Sequence, residues 1–228
     1  MGNERESVSP LTRPTKRYDY VDAGVEIYVD SFATIRREAS FEDIPPEAEK
    51  LAVRMIHGSG QVDLVSDLVV HPRLVSSARA ALMSGAPILT DARMVAMGIT
   101  STRLPAANEV LCFLTDERVR GLSSMWRTTR TAAAVSLWEP HLEGAVVVIG
   151  NAPTALFHLM EMLIDGAPRP AAIIGCPVGF IGAAEAKDAL ASLANDHGID
   201  VPFVTVRGRR GGSAMASSAV NALSQEEE

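Results

Sequence analysis

Two short runs limit the fold more than anything else in the chain. Val146-Val147-Val148-Ile149 and Ala171-Ala172-Ile173-Ile174 are apolar at every position, with no alternation. A strand with one wet face alternates apolar and polar residues. A strand apolar on both faces belongs inside a parallel sheet covered by helices. Around these runs, strand signals and helix signals take turns. Short β-like runs at 67–70, 87–89, 110–114, 145–149, 171–174 and 203–206 precede helical stretches at 72–83, 92–97, 116–137, 153–164, 183–195 and 212–223. Such repeats imply right-handed βαβ units and hence an α/β, doubly wound, mainly parallel sheet with helices on both faces. Upstream, Val21, Val25, Tyr28, Phe32 and Ile35 recur at helical spacing, which predicts an amphipathic helix over 18–38. A second helix is expected from Pro45-Pro46 to His57-Gly58, burying Ala48, Leu51, Ala52, Met55 and Ile56.

Nothing in the 228 residues demands a second domain. The expected organisation is a flexible N-terminal arm over 1–17, one α/β domain over 18–223 and an acidic tail over 224–228. The arm is polar and has no apolar core of a signal peptide, and the longest uncharged stretches are broken by Gly and Pro. No membrane span is expected, and the cytoplasm is the expected compartment. Aromatics are only 5% of the chain, so the core must be built from Ala, Val, Leu, Ile and Met. With Lys plus Arg at 21 and Asp plus Glu at 28, the net charge of −7 argues against a sequence-independent nucleic-acid binder. An anionic small molecule stays open, because arginines can cluster locally. Two cysteines, Cys112 and Cys176, exclude a disulfide scaffold and a four-cysteine zinc site.

In a doubly wound sheet the ligand sits beyond the carboxyl ends of the strands. The loops expected there are Thr90-Asp91-Ala92-Arg93, Gly150-Asn151-Ala152-Pro153-Thr154, Gly175-Cys176-Pro177-Val178-Gly179-Phe180 and Arg207-Gly208-Arg209-Arg210-Gly211-Gly212-Ser213. Glycines permit close backbone approach, and each following helix start offers N–H groups to an anion. Arg207, Arg209 and Arg210 add charge suited to carboxylates. None of the four is a P-loop or a G-x-G-x-x-G fingerprint, and Gly58-Ser59-Gly60 follows a helix rather than a strand. Among five histidines, His57 stands apart, because it ends an apolar helix beside a flexible turn from which its ring can project into a cleft. The others show no zinc spacing, and neither cysteine has an evident base beside it.

The segments Met55-Ile56-His57-Gly58-Ser59-Gly60, Thr90-Asp91-Ala92-Arg93-Met94-Val95 with Gly98-Ile99, Thr129-Arg130-Thr131-Ala132-Ala133-Ala134, Gly150-Asn151-Ala152-Pro153-Thr154-Ala155-Leu156, the 175–180 loop and the 207–213 loop occur in this order. Together they make the chain resemble the precorrin-8X methylmutases, also called precorrin isomerases or cobalt-precorrin-8 methylmutases, from about Tyr18 to Leu223. The resemblance implies a flavodoxin-like fold, a homodimer and a step of cobalamin biosynthesis. In that step a methyl group moves from C11 to C12 of an anionic tetrapyrrole, giving hydrogenobyrinic acid or its cobalt-containing equivalent. It implies His57 as the group that protonates, or hydrogen-bonds to, the substrate near ring C during a 1,5-sigmatropic shift. It places Ser31, Thr100 and Arg130 at the substrate, although the family commonly has Arg-Ser where this chain has Arg130-Thr131. With them we expect Asn151, Arg207, Arg209, Arg210, Gly211 and Gly212 to hold substrate. Such a rearrangement needs a held conformation and a proton donor, so no metal or cofactor is expected on the protein. Transient contact with neighbouring pathway enzymes is also expected. Two rivals remain at this point: a corrinoid carrier without chemistry, which would not need His57, and a flavodoxin-like nucleotide-binding domain, which the missing phosphate fingerprint disfavours.

Overall fold

The computed structural model describes residues 11–225. Most of the expected arm and the end of the tail lie outside that range. Six strands form one sheet in the order β1-β6-β5-β4-β2-β3, with β1 Leu68–Val70, β2 Ile88–Thr90, β3 Val110–Leu111, β4 Val146–Ile149, β5 Ala172–Gly175 and β6 Phe203–Val206. The strands β2 to β6 run parallel, and counted in chain order they read 2-1-3-4-5, the flavodoxin-like order. An added edge strand, β1, pairs antiparallel with β6, Leu68 opposite Val206.

The two unalternating runs behave as their composition requires. Val146 and Val148 pack into one hydrophobic cluster, and Val147 and Ile149 into the other on the opposite face, with every residue of β4 fully buried. Helices α1 Gly24–Glu38, α2 Glu49–Ser59, α3 Leu74–Met83, α4 Arg93–Gly98 and α9 Ser213–Leu223 lend their apolar residues to the first cluster. Helices α7 Pro153–Ile164 and α8 Ala183–His197 cover the second, together with Val135 from the end of α6 Arg130–Val135.

The helix expected over 116–137 is broken. Asp116 caps α5 Glu117–Trp126 by accepting from the Arg118 N–H at 3.0 Å. Arg127 then takes a left-handed φ of 53°, and Thr129 restarts the chain as the cap of α6, accepting from the Ala132 N–H at 3.2 Å. After α6 a 3-10 turn runs from Ser136 to His141. Apolar periodicity survives such a break, because both pieces still turn the same residue types inward; the Thr-Thr cap signal was the cue. The strand expected over 110–114 is only Val110–Leu111, and α1 starts at Gly24 rather than near residue 18. At the other end, Ser224 is buried and the Gln225 carbonyl accepts from Lys50 Nζ at 2.8 Å and Arg79 Nη1 at 2.7 Å, so these two residues are docked rather than part of a loose tail. No helix of the described residues is long and apolar enough to cross a membrane.

Candidate active site

The α2 helix buries Leu51, Ala52, Met55 and Ile56 and carries His57 in its last turn. It lies so close to α9 that a Cβ on Gly58 would stand 2.1 Å from Ser218 Oγ and 3.1 Å from Ser218 Cβ. Only glycine permits that approach, and the approach fixes the level at which His57 emerges. Its neighbours come from α1. Tyr28, Ser31 and Phe32 stand at i, i+3 and i+4, hence on one face of that helix. Ser31 Oγ is 2.8 Å from His57 Nδ1. The Tyr28 and Phe32 rings each lie 5.3 Å from the imidazole, Phe32 edge-on. With Nδ1 engaged, Nε2 is the ring nitrogen left for a substrate. Burial first, and the Arg54 charge one turn earlier on α2 second, push the His57 pKa below its ordinary value.

Open space adjoins the ring on two sides, with opposite charge. On one side a cleft of about 330 Å³ is lined by Ser31, Gly60 and Val62 together with the acids Asp30 and Glu38. On the other, a recess of about 110 Å³ is lined by Tyr28, Arg54, Thr100, Arg103, Ser218 and Asn221. It shares Tyr28, Arg54 and Arg103 with a larger cleft of about 670 Å³ along α1, walled by Val25, Val29 and Phe32. Thr100 reaches this recess because Asn221 of α9 clamps its segment, accepting from the Thr100 N–H at 2.9 Å and donating to the Gly98 carbonyl at 3.0 Å.

The sequence-predicted residues thus divide. His57, Ser31 and Thr100 come together. The loop Arg207 to Ser213 lies close by, around a separate cleft lined by Gln61, Phe180, Arg209 and Arg210. Within it the expected roles separate. Arg210 is engaged within the protein: its guanidinium binds Asp63 at 2.9 Å and also Asp67. Its carbonyl accepts from the buried Lys187 Nζ at 2.5 Å. The Gly212 N–H is used by the Cys176 carbonyl at 2.9 Å, and Gly211 lacks a side chain because a Cβ would meet the carbonyl oxygens of Cys176 and Pro177 at 2.4 Å. These three residues build the loop. Arg207 and Arg209 are exposed, and among the described residues neither has an acidic partner; Arg209 lies over the Phe180 ring at 5.2 Å.

Arg130 and Asn151 stand elsewhere. Arg130 is exposed at the start of α6, and Asn151 precedes α7, in the layer on the other face of the sheet; neither lines the clefts around His57. The switch-point crevice that the strand order places between β2 and β4 is filled by the protein itself. Asp91 is 2% exposed and accepts the N–H groups of Gly150 at 3.0 Å, Asn151 at 3.0 Å and Ala152 at 2.8 Å. Burial raises its carboxyl pKa, and the three donors offset only part of that rise. A carboxylate in this position takes the place that a phosphate would occupy at the start of α7, which counts against the nucleotide-binding rival. Cys176 is wholly buried and its thiol pKa is pushed up to about 12, so it is a packing residue rather than a nucleophile. Sequence reasoning missed Tyr28, Arg54, Arg103 and Asn221. Arg54, three residues before His57 on a helix, was the legible one; the rest required knowing which helices meet.

Fold and site define a flavodoxin-like α/β protein whose histidine cleft lies in a helix layer rather than in the switch-point crevice. Residues 26–226 match the family model of precorrin-8X methylmutase. A protein of Pseudomonas aeruginosa named precorrin-8X methylmutase is 59% identical over 92% of this chain and 99% of its own length. One of the same name from Sinorhizobium sp is 57% identical over 91% of this chain and 97% of its own. The solved structure of precorrin-8x methyl mutase from Thermus thermophilus superposes with a TM-score of 0.78 at 36% identity, covering 88% of this chain and 95% of that one. The chain belongs to the precorrin-8X methylmutase family, and it is an isomerase of cobalamin biosynthesis.

Proposed function

We propose that the chain moves a methyl group from C11 to C12 of precorrin-8x, with His57 as the proton donor. The observation that carries this is His57, held at Nδ1 by Ser31 on one side and lining an arginine-bearing recess on the other, in a chain of this family. Ser31 Oγ holds Nδ1 and so fixes the ring, and Nε2 delivers the proton to the macrocycle near ring C. The bond from the methyl to C11 then breaks as the bond to C12 forms, within one molecule, and the product returns one proton to His57, so that substrate and product are isomers and the histidine ends as it began. A lowered pKa makes the imidazolium a stronger acid but leaves less of it charged at neutral pH. A substrate carboxylate close to Arg54 offsets that guanidinium and returns His57 toward its protonated form.

Thr100 and Arg103 complete the recess around the reacting ring, and Arg207 and Arg209 offer further charge to the substrate's carboxylates. The protein acts as a cytoplasmic homodimer with the site near the interface. One feature supports this: Arg130, a family site residue, sits in the opposite helix layer, where a second copy is the way to bring it to a substrate held at His57. Both of the relatives described above are named for precorrin-8X rather than for its cobalt form, which favours a metal-free substrate. The rival reading, a corrinoid carrier, finds no support in these relatives. The test is to incubate the purified protein with precorrin-8x, and separately with cobalt-precorrin-8, and to record the visible spectrum. Conversion of the metal-free substrate is expected; conversion only of the cobalt form corrects the substrate, and stoichiometric binding without conversion restores the carrier.

A further inference from the structure

His57 opens on two sides, and a disc-shaped polycarboxylate touching it must spread over one of them. Charge decides which. On the Ser31 side the cleft carries Asp30 and Glu38. On the Thr100 side the recess and its continuation carry Arg54 and Arg103, with Arg36 at the far end. Like charges raise the cost of seating an anion, opposite charges lower it, and in a partly enclosed cleft both effects exceed their value in water. The larger cleft, about 670 Å³, also falls within the usual range for small-molecule sites, whereas the acidic one, about 330 Å³, barely enters it.

The basic side is also built for a flat ring. Tyr28 stands between the two functions: its ring lies 5.3 Å from the imidazole of His57 and 6.0 Å from the guanidinium of Arg103. Val25, Val29 and Phe32 continue the apolar wall along α1. Arg103 closes the recess from the 3-10 turn Ser101–Arg103, is partly exposed, and among the described residues has no acidic partner. An apolar wall with an arginine at its edge matches a conjugated macrocycle fringed by carboxylates. Arg36, by contrast, is already bound to Glu49 at 2.8 Å.

We propose that the macrocycle lies along α1 on the Tyr28 side of His57, with Arg103 as a carboxylate-binding residue that sets its orientation. This rests on the functional reading above. The Tyr28 ring supports the macrocycle face, Arg103 takes a peripheral carboxylate, and the pair thereby aligns the reacting carbon with Nε2 of His57. Orientation is the quantity at stake: a ring held by its other edges but rotated in the cleft binds without reacting.

The test is titration of wild type and variants with hydrogenobyrinic acid, followed by absorbance, with the same macrocycle carrying esterified carboxylates as a second probe. Binding of the acid by wild type at micromolar concentration checks the functional reading itself; the variants check the orientation. Arg103→Met should weaken binding of the acid on the order of tenfold, the worth of one charge-assisted contact, and leave the ester unchanged. Arg103→Lys should restore part of the loss. Tyr28→Ala should weaken both probes, and Tyr28→Phe neither. With precorrin-8x, Arg103→Met should lower kcat as well as raise KM, because misoriented substrate binds unproductively. Unchanged affinity in Arg103→Met, together with tighter binding in Glu38→Gln, would place the macrocycle on the acidic side and overturn the proposal. So would a loss of affinity in Tyr28→Ala that sedimentation traces to dissociation of a dimer, since the cleft would then be occupied by a second copy of the chain.

Discussion

Two regions of this molecule offer themselves to a ligand, and they have been used in opposite ways. The crevice between β2 and β4 is where a flavodoxin-like sheet ordinarily receives one. Here Asp91 enters it and takes the three N–H groups of residues 150–152. The cleft at the end of α2 has no such standing in the general architecture, yet it holds an engaged histidine, two flanking aromatic rings and adjacent arginines. The difference teaches that the switch point is a property of the backbone, and any carboxylate at the right height can close it. A macrocycle needs a long apolar wall more than it needs a nest of amides, and a helix face such as α1 provides the wall.

The largest effect that would sharpen this contrast is expected at His57. Replacement by Ala should lower turnover roughly 10²–10⁴-fold, the usual span of acid catalysis, while product still binds. Rate measurements with precorrin-8x check it, and near wild-type conversion would remove His57 from the chemistry. At the other region the expected effect is on stability. Asp91→Ala strands three N–H groups, two of them buried, and should cost on the order of 3 kcal/mol in urea unfolding, with product affinity little changed where the protein remains folded. Should Asp91→Ala instead abolish binding in a protein of unchanged stability, the crevice would be the site after all.

A smaller cost, about 1–3 kcal/mol, is expected for Gly58→Ala, which overfills the α2–α9 contact. Adding Ser218→Ala should recover part of it, because the nearest atom to the new methyl group is Ser218 Oγ. Simple additivity of the two substitutions would argue against that contact as the cause. Ser31→Ala should reduce kcat by roughly two- to tenfold, the worth of one hydrogen bond, through loss of ring alignment at Nδ1. The pH profile reports the electrostatics of the same cleft. The imidazolium is the acid, so kcat/KM of the free enzyme should fall as pH rises through the His57 pKa, and burial and Arg54 place that limb below the ordinary value of 6.5. Arg54→Gln should move the limb upward. A limb that rises with pH would mean that neutral histidine, not its charged form, is the active species.

Much of the architecture was legible because it follows from one-dimensional chemistry. Unalternating apolar runs can only be stable between two helix layers, and the β4 residues divide between both clusters as that argument requires. The family motifs pointed to His57, Ser31 and Thr100, and the fold brings Ser31 and Thr100 to opposite sides of His57. The break at Arg127 was not read from periodicity, since hydrophobic spacing is indifferent to one residue turning left-handed. The pairing of Arg210 was not legible for a related reason: an arginine in a glycine-rich loop looks the same in sequence whether it awaits a substrate or is held by Asp63 and Asp67, more than a hundred residues earlier in the chain.

The sequence by itself determined the parallel sheet, the helices that cover it and the histidine at the end of α2, because burial pattern and helix spacing are local. Only the tertiary structure decided that the switch point is closed by Asp91, that Gly212 spends its N–H on Cys176, and that the open space around His57 is acidic on one side and basic on the other. Hydrogen bonds and electrostatic fields depend on distances between residues far apart in the chain, and those distances exist only once the layers have packed.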